Sequence, residues 1–329
     1  MTGQPGAGPY SDLMAAYIPL MQDLDGRQQA LLSAFQDERQ STVDEMVYHY
    51  TGDIGLYHIL GSGKLWVSDY TSMNDPSEIN YGVNVGREVL KAEIYRRGNP
   101  QIALAFLHPF EEIAKGGLHP FMSAYVLSMS LDDDELTQWR LYADGGRGFA
   151  MGFASRILDR AYAPLSTGLV GGTLGGSFRV LYDEARLRAQ MQSYVDNALN
   201  VILTMPRVDR QAVGRMFGKI GTNLMFAFIY TALYFKHPAY RTEREYRYLV
   251  VTVPGAVPPG LLKRPRRSKL IDYLEMDWKA QHAASLKSIR VGPAADWSRA
   301  QTFVMESLGL HLPGSAPIVL DQSKVPFRT

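Results

Sequence analysis

Strand-like segments recur along this chain from Val47 to Leu320 without regular alternation with helices, and that irregularity constrains the fold more than any other feature. The pattern holds roughly eight short strands and six or more helices. A doubly wound parallel sheet needs a helix after nearly every strand. The spacing therefore predicts an α+β protein, with mixed, mostly antiparallel sheets and flanking helices. The densest unit covers residues 46–78. Val47, Tyr48, His49, Tyr50 and Thr51 read as a strand, and Gly52 and Asp53 break it, with Asp53 placed to cap a helix over residues 54–60. Gly61 and Gly63 end that helix. Residues 65–68 alternate apolar and polar positions and return as a strand; Asn74, Asp75 and Pro76 close the unit as a turn. Polar groups crowded at the ends of short strands point to a ligand site.

Helical periodicity frames the rest. After a flexible lead at residues 1–10, Leu13, Met14, Tyr17, Ile18, Met21 and Leu24 recur at helical spacing, and Leu31, Leu32 and Phe35 continue it. Residues 1–45 read as a helical N-terminal extension, and residues 46–329 as a single α+β domain with a helical insertion at about 183–235. Val85, Val89, Leu90 and Ile94 mark a further amphipathic helix. Strands are expected at residues 124–130, 148–153, 178–182, 246–253, 288–291 and 317–320, with a last helix over 296–308. Asp132, Asp133 and Asp134 offer an N-cap for a helix over residues 136–142, and the glycine-rich residues 168–176 form a loop or hairpin tip.

Composition narrows the partners. The chain is 46% hydrophobic and 20% charged with a net charge of +1, so any preference for nucleic acid has to come from a local patch. It contains no cysteine, which rules out disulfides, a thiol nucleophile and thiolate metal sites. The apolar run at residues 220–235 includes Thr222, Asn223 and Thr231 and is shorter than the ~20 residues of a membrane span. It reads as a buried core helix, and no membrane association is expected. The first ten residues lack the basic and apolar regions of a secretory signal, so the expected location is the cytoplasm.

Familiar sites can be set aside. Gly61, Ser62, Gly63 and Lys64 resemble a phosphate loop, but His58 stands where its leading glycine belongs and Leu65 where it needs Ser or Thr. No histidine pair has helical zinc spacing, and no metal site is expected. The acidic residues 132–135 suit a helix cap better than a cation. His49 is either a satisfied strand histidine or a ligand contact. Ser128 and Ser130 share one strand face, as ordinary surface serines or as pocket hydroxyls. Gln138, Trp139, Arg140 and Tyr142 crowd one short helix, with Arg140 suited to a carboxylate or phosphate and Trp139 to the core.

At the entry of a late strand, Glu243, Glu245 and Arg247 fall on one face and Arg244, Tyr246 and Tyr248 on the other. That is a salt-bridged strand edge, or a carboxylate poised to stabilise a developing positive charge. Lys263, Arg264, Arg266, Arg267 and Lys269 form an exposed, mobile basic arm. It is either balanced by Asp272, Glu275 and Asp277 or contacts the phosphates of a nucleic-acid acceptor.

Taken in order, several of these motifs resemble a widespread bacterial family of unknown function. They are Tyr48, His49, Tyr50 and Thr51; residues 65–68; Asn74, Asp75, Pro76, Ser77 and Glu78; Ser128 and Ser130; Gln138, Trp139, Arg140 and Tyr142; residues 148–153; Lys236, His237 and Pro238; and residues 243–247. The likeness covers residues 46–293. More distantly, the first-strand histidine, the Ser-x-Ser strand and the Glu-x-Glu segment are similar to the ADP-ribosyltransferase fold. That resemblance implies an ADP-ribosyltransferase-like core and NAD as substrate. It implies His49 on the adenosine ribose, Ser128 and Ser130 supporting the nicotinamide pocket, and Tyr142 or Tyr50 stacking. Ser68 and Arg140 join that binding set. Glu245 would hold the nicotinamide ribose and Glu243 orient the acceptor, a nucleic acid or a protein.

The expected function is an NAD-dependent ADP-ribosyltransferase-like enzyme, as a toxin, effector or defence protein. Its rivals are a non-catalytic nucleotide- or partner-binding module on the same fold, and metal-dependent hydrolysis through Asp75, Glu78, Glu243 and Glu245.

Overall fold

The computed structural model describes residues 9–39, 45–72, 77–97, 100–115, 121–167, 174–204, 210–253, 255–266, 268–280 and 282–327. Asn74, Asp75, Pro76, Arg267 and the glycine-rich residues 168–173 lie outside them. The chain opens with α1 (Pro9–Arg39), β1 (Met46–Thr51), α2 (Asp53–Ser62) and β2 (Lys64–Asp69). Next come α3 (Ser77–Arg96), α4 (Pro100–Lys115), β3 (Ser123–Ser130), α5 (Leu136–Tyr142), β4 (Phe149–Ala154), α6 (Ser155–Thr167) and β5 (Leu174–Arg179). Two long helices, α7 (Glu184–Thr204) and α8 (Arg210–Ala232), precede β6 (Glu245–Thr252), β7 (Leu262–Arg266) and β8 (Lys269–Asp277). The last elements are β9 (Leu286–Val291), α9 (Trp297–His311) and β10 (Val319–Gln322). The fold is α+β with a mixed, mostly antiparallel sheet; among the described strands only β9 and β10 pair in parallel.

Two compact units divide the chain, one made of Met1–Arg39, Ser77–Met122 and Asp183–His237, the other of Gln40–Pro76, Ser123–Tyr182 and Pro238–Thr329. The second unit holds the sheet, and β3 is its branch point. Along one edge β3 pairs with β6 from Ser123↔Thr252 to Ser130↔Glu245. Along the other edge it meets β1 only at Tyr48↔Ser130, and β2 only at Ser68↔Val126 and Asp69↔Tyr125. The sheet therefore splits beside Leu127, Ser128 and Met129, with β4, β9 and β10 continuing beyond β1 and β8 and β7 beyond β2.

Side chains alternate across strands, so the register sorts residues by face. One face carries Val47, Leu65, Val67, Leu127, Met129, Met151, Tyr246, Tyr248, Leu274 and Ile289, and buries them with Leu158 and Tyr162 of α6 and Val304 of α9. The other carries Tyr48, Tyr50, Ser68, Ser128, Ser130, Glu245 and Arg247. On that side α5 packs Trp139 edge-on against Tyr50, at 4.8 Å between ring centroids.

Three expectations are corrected here. Residues 174–176 are strand, not loop, because Gly175 lets β5 press against β6: a Cβ there would lie 2.2 Å from the Leu249 carbonyl oxygen. The α5 cap is Glu135, whose carboxylate accepts from Gln138 N at 2.8 Å, while Asp134 is occupied by the Trp139 indole. The basic arm is the β7–β8 hairpin, paired from Leu262↔Tyr273 to Arg266↔Lys269 and joined to β2 through β8. Pro265 is tolerated in β7 because that strand ends the sheet path, where no ladder needs its missing N–H.

The first unit consists of α1, α3, α4, α7 and α8. The apolar run at residues 220–235 is, as its composition suggests, a core element: Ile220, Leu224, Ala227, Phe228, Ile229 and Tyr230 are all buried. Among the described residues no helix is long and apolar enough to cross a membrane. The buried Asn197 finds partners here, its Nδ2 donating to the Leu24 carbonyl and to Gln28 Oε1, each at 3.3 Å. Helix α3 approaches α8 closely at two glycines. A Cβ at Gly82 would lie 2.5 Å from Ala232 Cβ and 2.9 Å from its Cα, and one at Gly86 would lie 2.6 Å from the Phe228 ring.

Opposite outcomes are expected for two glycine-to-alanine changes. Ala favours a helix over Gly by about 1 kcal/mol, and Gly218 on α8 has open space around it, so Gly218→Ala should raise stability by roughly 0.5–1 kcal/mol. Gly82→Ala meets backbone that cannot yield and should lower stability by about 1–3 kcal/mol in spite of the propensity gain. Thermal or urea unfolding of the two variants checks this; a Gly82→Ala protein as stable as the parent would remove the close-approach argument.

Candidate active site

The entry of β6 organises the polar face. Residues Pro238–Glu243 form a 3₁₀ turn, and Arg244 follows in the left-handed region at φ 43°. A non-glycine residue pays roughly 1–2 kcal/mol to sit there, so the surroundings must hold it. They do so through the backbone: Arg244 N donates to the Arg241 carbonyl at 3.2 Å, and the Arg244 carbonyl accepts from Leu131 N at 2.9 Å. Glu245 N donates to the Tyr182 hydroxyl at 3.0 Å, and its carbonyl accepts from Val180 N at 2.9 Å. The strand face expected for Glu243 is corrected by this turn. Glu243 precedes the strand, and only Glu245 and Arg247 share a β6 face, with Tyr246 and Tyr248 on the other.

Glu245 and Arg247 form a buried ion pair, with side chains 5% and 0% exposed. Arg247 Nε donates to Glu245 Oε1 at 2.6 Å and Nη2 to Oε2 at 3.0 Å, so the guanidinium forks the carboxylate. Ser128 Oγ donates to Glu245 Oε1 at 2.5 Å, although 117 positions separate the two residues. The register explains the meeting, since Ser128 stands opposite Arg247 and Ser130 opposite Glu245. Ser130 is committed elsewhere, donating to the Glu243 carbonyl at 2.9 Å and accepting from Asp132 N at 3.0 Å. Its hydroxyl ties the end of β3 to the turn that aims Glu245.

The remaining sequence-derived residues separate by role. The Tyr50 hydroxyl donates to the Asp132 carbonyl at 2.8 Å and accepts from Glu135 N at 3.1 Å, which locks the loop before α5. Burial pushes its phenol pKa upward, and its ring is taken up by Trp139. Arg140 is exposed, with its guanidinium carbon 5.6 Å from the centre of the Phe327 ring, and Tyr142 is exposed at the end of α5. Ser68 accepts from Arg264 Nη2 at 3.2 Å. Glu78 forms a buried pair with Lys236 at 2.7 Å in the helical unit. The acidic stretch before α5 gathers round a cation of the protein itself: Arg290 lies 2.7 Å from Asp133, 3.3 Å from Asp134 and 3.1 Å from Asp321. Among the described residues no cluster of three or more His, Asp or Glu side chains could hold a metal ion.

His49 is not brought to Glu245. It stands opposite Met151, on the face of β1 that also carries Val47, whereas Tyr48 shares its face with Ser130. Among the described residues no group hydrogen-bonds its ring, and burial pushes the imidazole pKa down to about 4. Sequence reading overlooked Tyr182, whose hydroxyl receives Glu245 N, and the aromatic pair of Trp66 and Tyr273 on the polar face. A signal for the pair existed in the alternation of Ile271, Tyr273 and Glu275 with Leu274 and Met276, which marks a half-buried strand.

Residues 138–248 match the model of a family described as a protein of unknown function (DUF2971). The match spans α5 to the middle of β6, a shorter stretch than residues 46–293, and includes Glu243, Glu245 and Arg247. No curated protein and no solved structure shows a significant match to the chain.

The neutral His49 has a consequence for stability. In the unfolded chain a histidine titrates near ~6.5, whereas the folded imidazole stays neutral down to about 4. Between these values the unfolded state binds the extra proton, so acidification through this window lowers stability, and the loss levels off below about 4. His49→Gln should flatten the slope of stability against pH in this range while leaving neutral-pH behaviour similar. Denaturant titrations at about pH 7, 5.5 and 4.5 check this, and superimposable slopes for the two proteins would contradict it.

Proposed function

We propose that the β3–β6 junction is the centre of an NAD-dependent ADP-ribosyltransferase-like enzyme, with Glu245 as the catalytic carboxylate and Ser128 as its positioning residue. The observation that carries this reading is the 2.5 Å hydrogen bond by which the Ser-x-Ser strand reaches the second glutamate of the Glu-x-Glu segment. In the proposed reaction the bond between nicotinamide nitrogen and ribose carbon breaks heterolytically. The electron pair leaves with neutral nicotinamide, and the ribose carbon passes through an oxocarbenium-like state. A hydroxyl or amine of the acceptor, or water, then bonds to that carbon and releases its proton. A fixed carboxylate stabilises this cationic state more than the substrate, the requirement for lowering the barrier. The Arg247 fork and Ser128 keep the Glu245 carboxylate in one orientation, so little reorganisation accompanies the reaction. The adenosine-ribose role for His49 is dropped from this reading, because the register turns it to the opposite face.

A second reading, a non-catalytic nucleotide- or partner-binding module on the same fold, draws on a different observation. Glu245 is 4% exposed and already satisfied by Arg247 and Ser128, as a purely structural pair would be.

Purified protein incubated with NAD, with nicotinamide followed by chromatography, separates the two. Turnover is expected for the parent chain. Ser128→Ala should lower kcat about tenfold or more with little change in KM, because a carboxylate displaced even slightly loses its alignment. Ser128→Thr should restore much of the loss, a rescue that a merely structural defect would not show. NAD binding by calorimetry without nicotinamide release would favour the second reading; equal kcat in parent and Ser128→Ala would remove Ser128 and Glu245 from catalysis.

A further inference from the structure

The polar face extends past Ser68 onto β8 and β7, where it changes character. Trp66 and Tyr273 stand on this face with ring centroids 5.0 Å apart and a tilt of 52°. Arg264, from the neighbouring edge strand, lays its guanidinium over the Trp66 ring at 4.8 Å from the centroid. Tyr273 and Arg264 thus both pack on Trp66, the tyrosine at a tilt and the guanidinium over the ring face. Although packed in this way, Trp66 keeps 45% of its surface open, an unusual exposure for a tryptophan that the core could have used.

The charges on the hairpin are arranged unevenly. Alternation along β7 and β8 puts Arg264, Arg266 and Lys269 on the face of Trp66, and Lys263 and Asp272 on the other, where they pair with each other. Arg266 donates to the Ser72 carbonyl. Among the described residues Arg264 has Ser68 as a hydrogen-bond acceptor but no carboxylate, and its buried Nε has no partner among them. Burial and the nearby positive charge of Arg266 both press its pKa downward. Of the described acids on this part of the face, Glu275 lies directly across from Trp66 and Asp277 is taken by Lys64 at 2.5 Å. A guanidinium held beside a second guanidinium, and facing no carboxylate among the described residues, favours an anion.

We propose that the Trp66–Tyr273–Arg264 stack and the basic face of the β7–β8 hairpin bind single-stranded nucleic acid, with bases adding to the stack and phosphates tracking Arg264, Arg266 and Lys269. Two features select this partner. An aromatic and guanidinium platform needs an unpaired base, since duplex bases are already stacked on one another. Alternate side chains along a strand lie ~6.8 Å apart, of the order of the spacing between successive phosphates in an extended single strand. Such contacts read no sequence, so affinity without strong base preference is expected. Ser68 pairs with Val126, which lies on the same sheet face as Ser128 and Glu245, so the bound strand is the acceptor in the proposed transfer. Only that last step rests on the proposed activity; binding does not.

The test is therefore run without NAD. Fluorescence anisotropy of the full chain with labelled oligothymidylate and oligouridylate of about 15 nucleotides, and with a duplex of equal length, is measured across a salt series. Single strands should bind more tightly than duplex. Trp66→Ala should weaken single-strand binding about tenfold or more, with Trp66→Phe recovering most of it, and thermal unfolding of each variant checks that the hairpin is intact. Arg264→Gln combined with Lys269→Gln should reduce the slope of log affinity against log salt by about two. Absence of single-strand binding at low salt would overturn the proposal, as would duplex binding of equal strength or a Trp66→Ala protein with the parent's affinity. Failure here leaves the nicotinamide-release result standing, and failure there leaves this one standing.

Discussion

Removing Glu245 and Arg247 from water costs several kcal/mol per ion before any attraction between them is counted. The structure around them offsets that cost through geometry. The guanidinium forks both carboxylate oxygens, Ser128 adds a third donor, and the β3–β6 register delivers Ser128 and Ser130 to the two charged residues in turn. The left-handed Arg244, the Tyr182 hydroxyl and the Ser130 clamp on Glu243 then set where β6 begins, and so where Glu245 points. Removing Glu245 or Arg247 would take a principal partner from a buried charge, which couples any chemistry at Glu245 to the stability of the strand.

The branching of β3 determines what else can share that face. Because β1 and β2 each touch β3 over so short a stretch, the sheet opens beside Ser128 while β6 remains paired along the full length of the strand. A continuous pleated sheet would have closed that edge. The two faces are correspondingly unlike: one is a core of Met, Leu, Val and Tyr side chains under α6 and α9, the other mixes hydroxyls, charges and the Trp66–Tyr273 pair with buried Val126 and Leu249. Exposed Trp66 and the Arg264 guanidinium over it lie on the second face, where binding groups would have to be.

Close backbone approach recurs in both units, by the same means. Gly82 and Gly86 bring α3 against α8, and Gly175 brings β5 against β6, in each case where a Cβ would collide with a neighbour. Glycine is disfavoured in helices and strands alike, so its presence there marks places where packing outweighs propensity. Residues 174–176 show how this misleads a reading of composition: the glycines look like a loop and are a strand.

Much of the fold was legible from local pattern. Strand and helix periodicity located β1, α2, β2, β3, α5, β4, β6 and α9 to within a few residues, and the helical insertion that holds α7 and α8, because alternation and 3.6-residue spacing are properties of neighbouring side chains. The α+β class followed from their irregular order, and the importance of Glu245 beside Arg247 from two opposite charges at strand spacing. What the sequence could not disclose depended on pairing between distant segments. Alternation alone told which residues of β1 share a face, but only the register with β3 and β4 turned Tyr48 toward Ser130 and His49 away from Glu245. The β7–β8 hairpin was hidden behind its basic composition, and its stack exists only because β2 lies beside β8. Local patterns are fixed by neighbours a few positions apart, whereas faces, stacks and buried ion pairs are decided by register, and register is a property of the folded sheet.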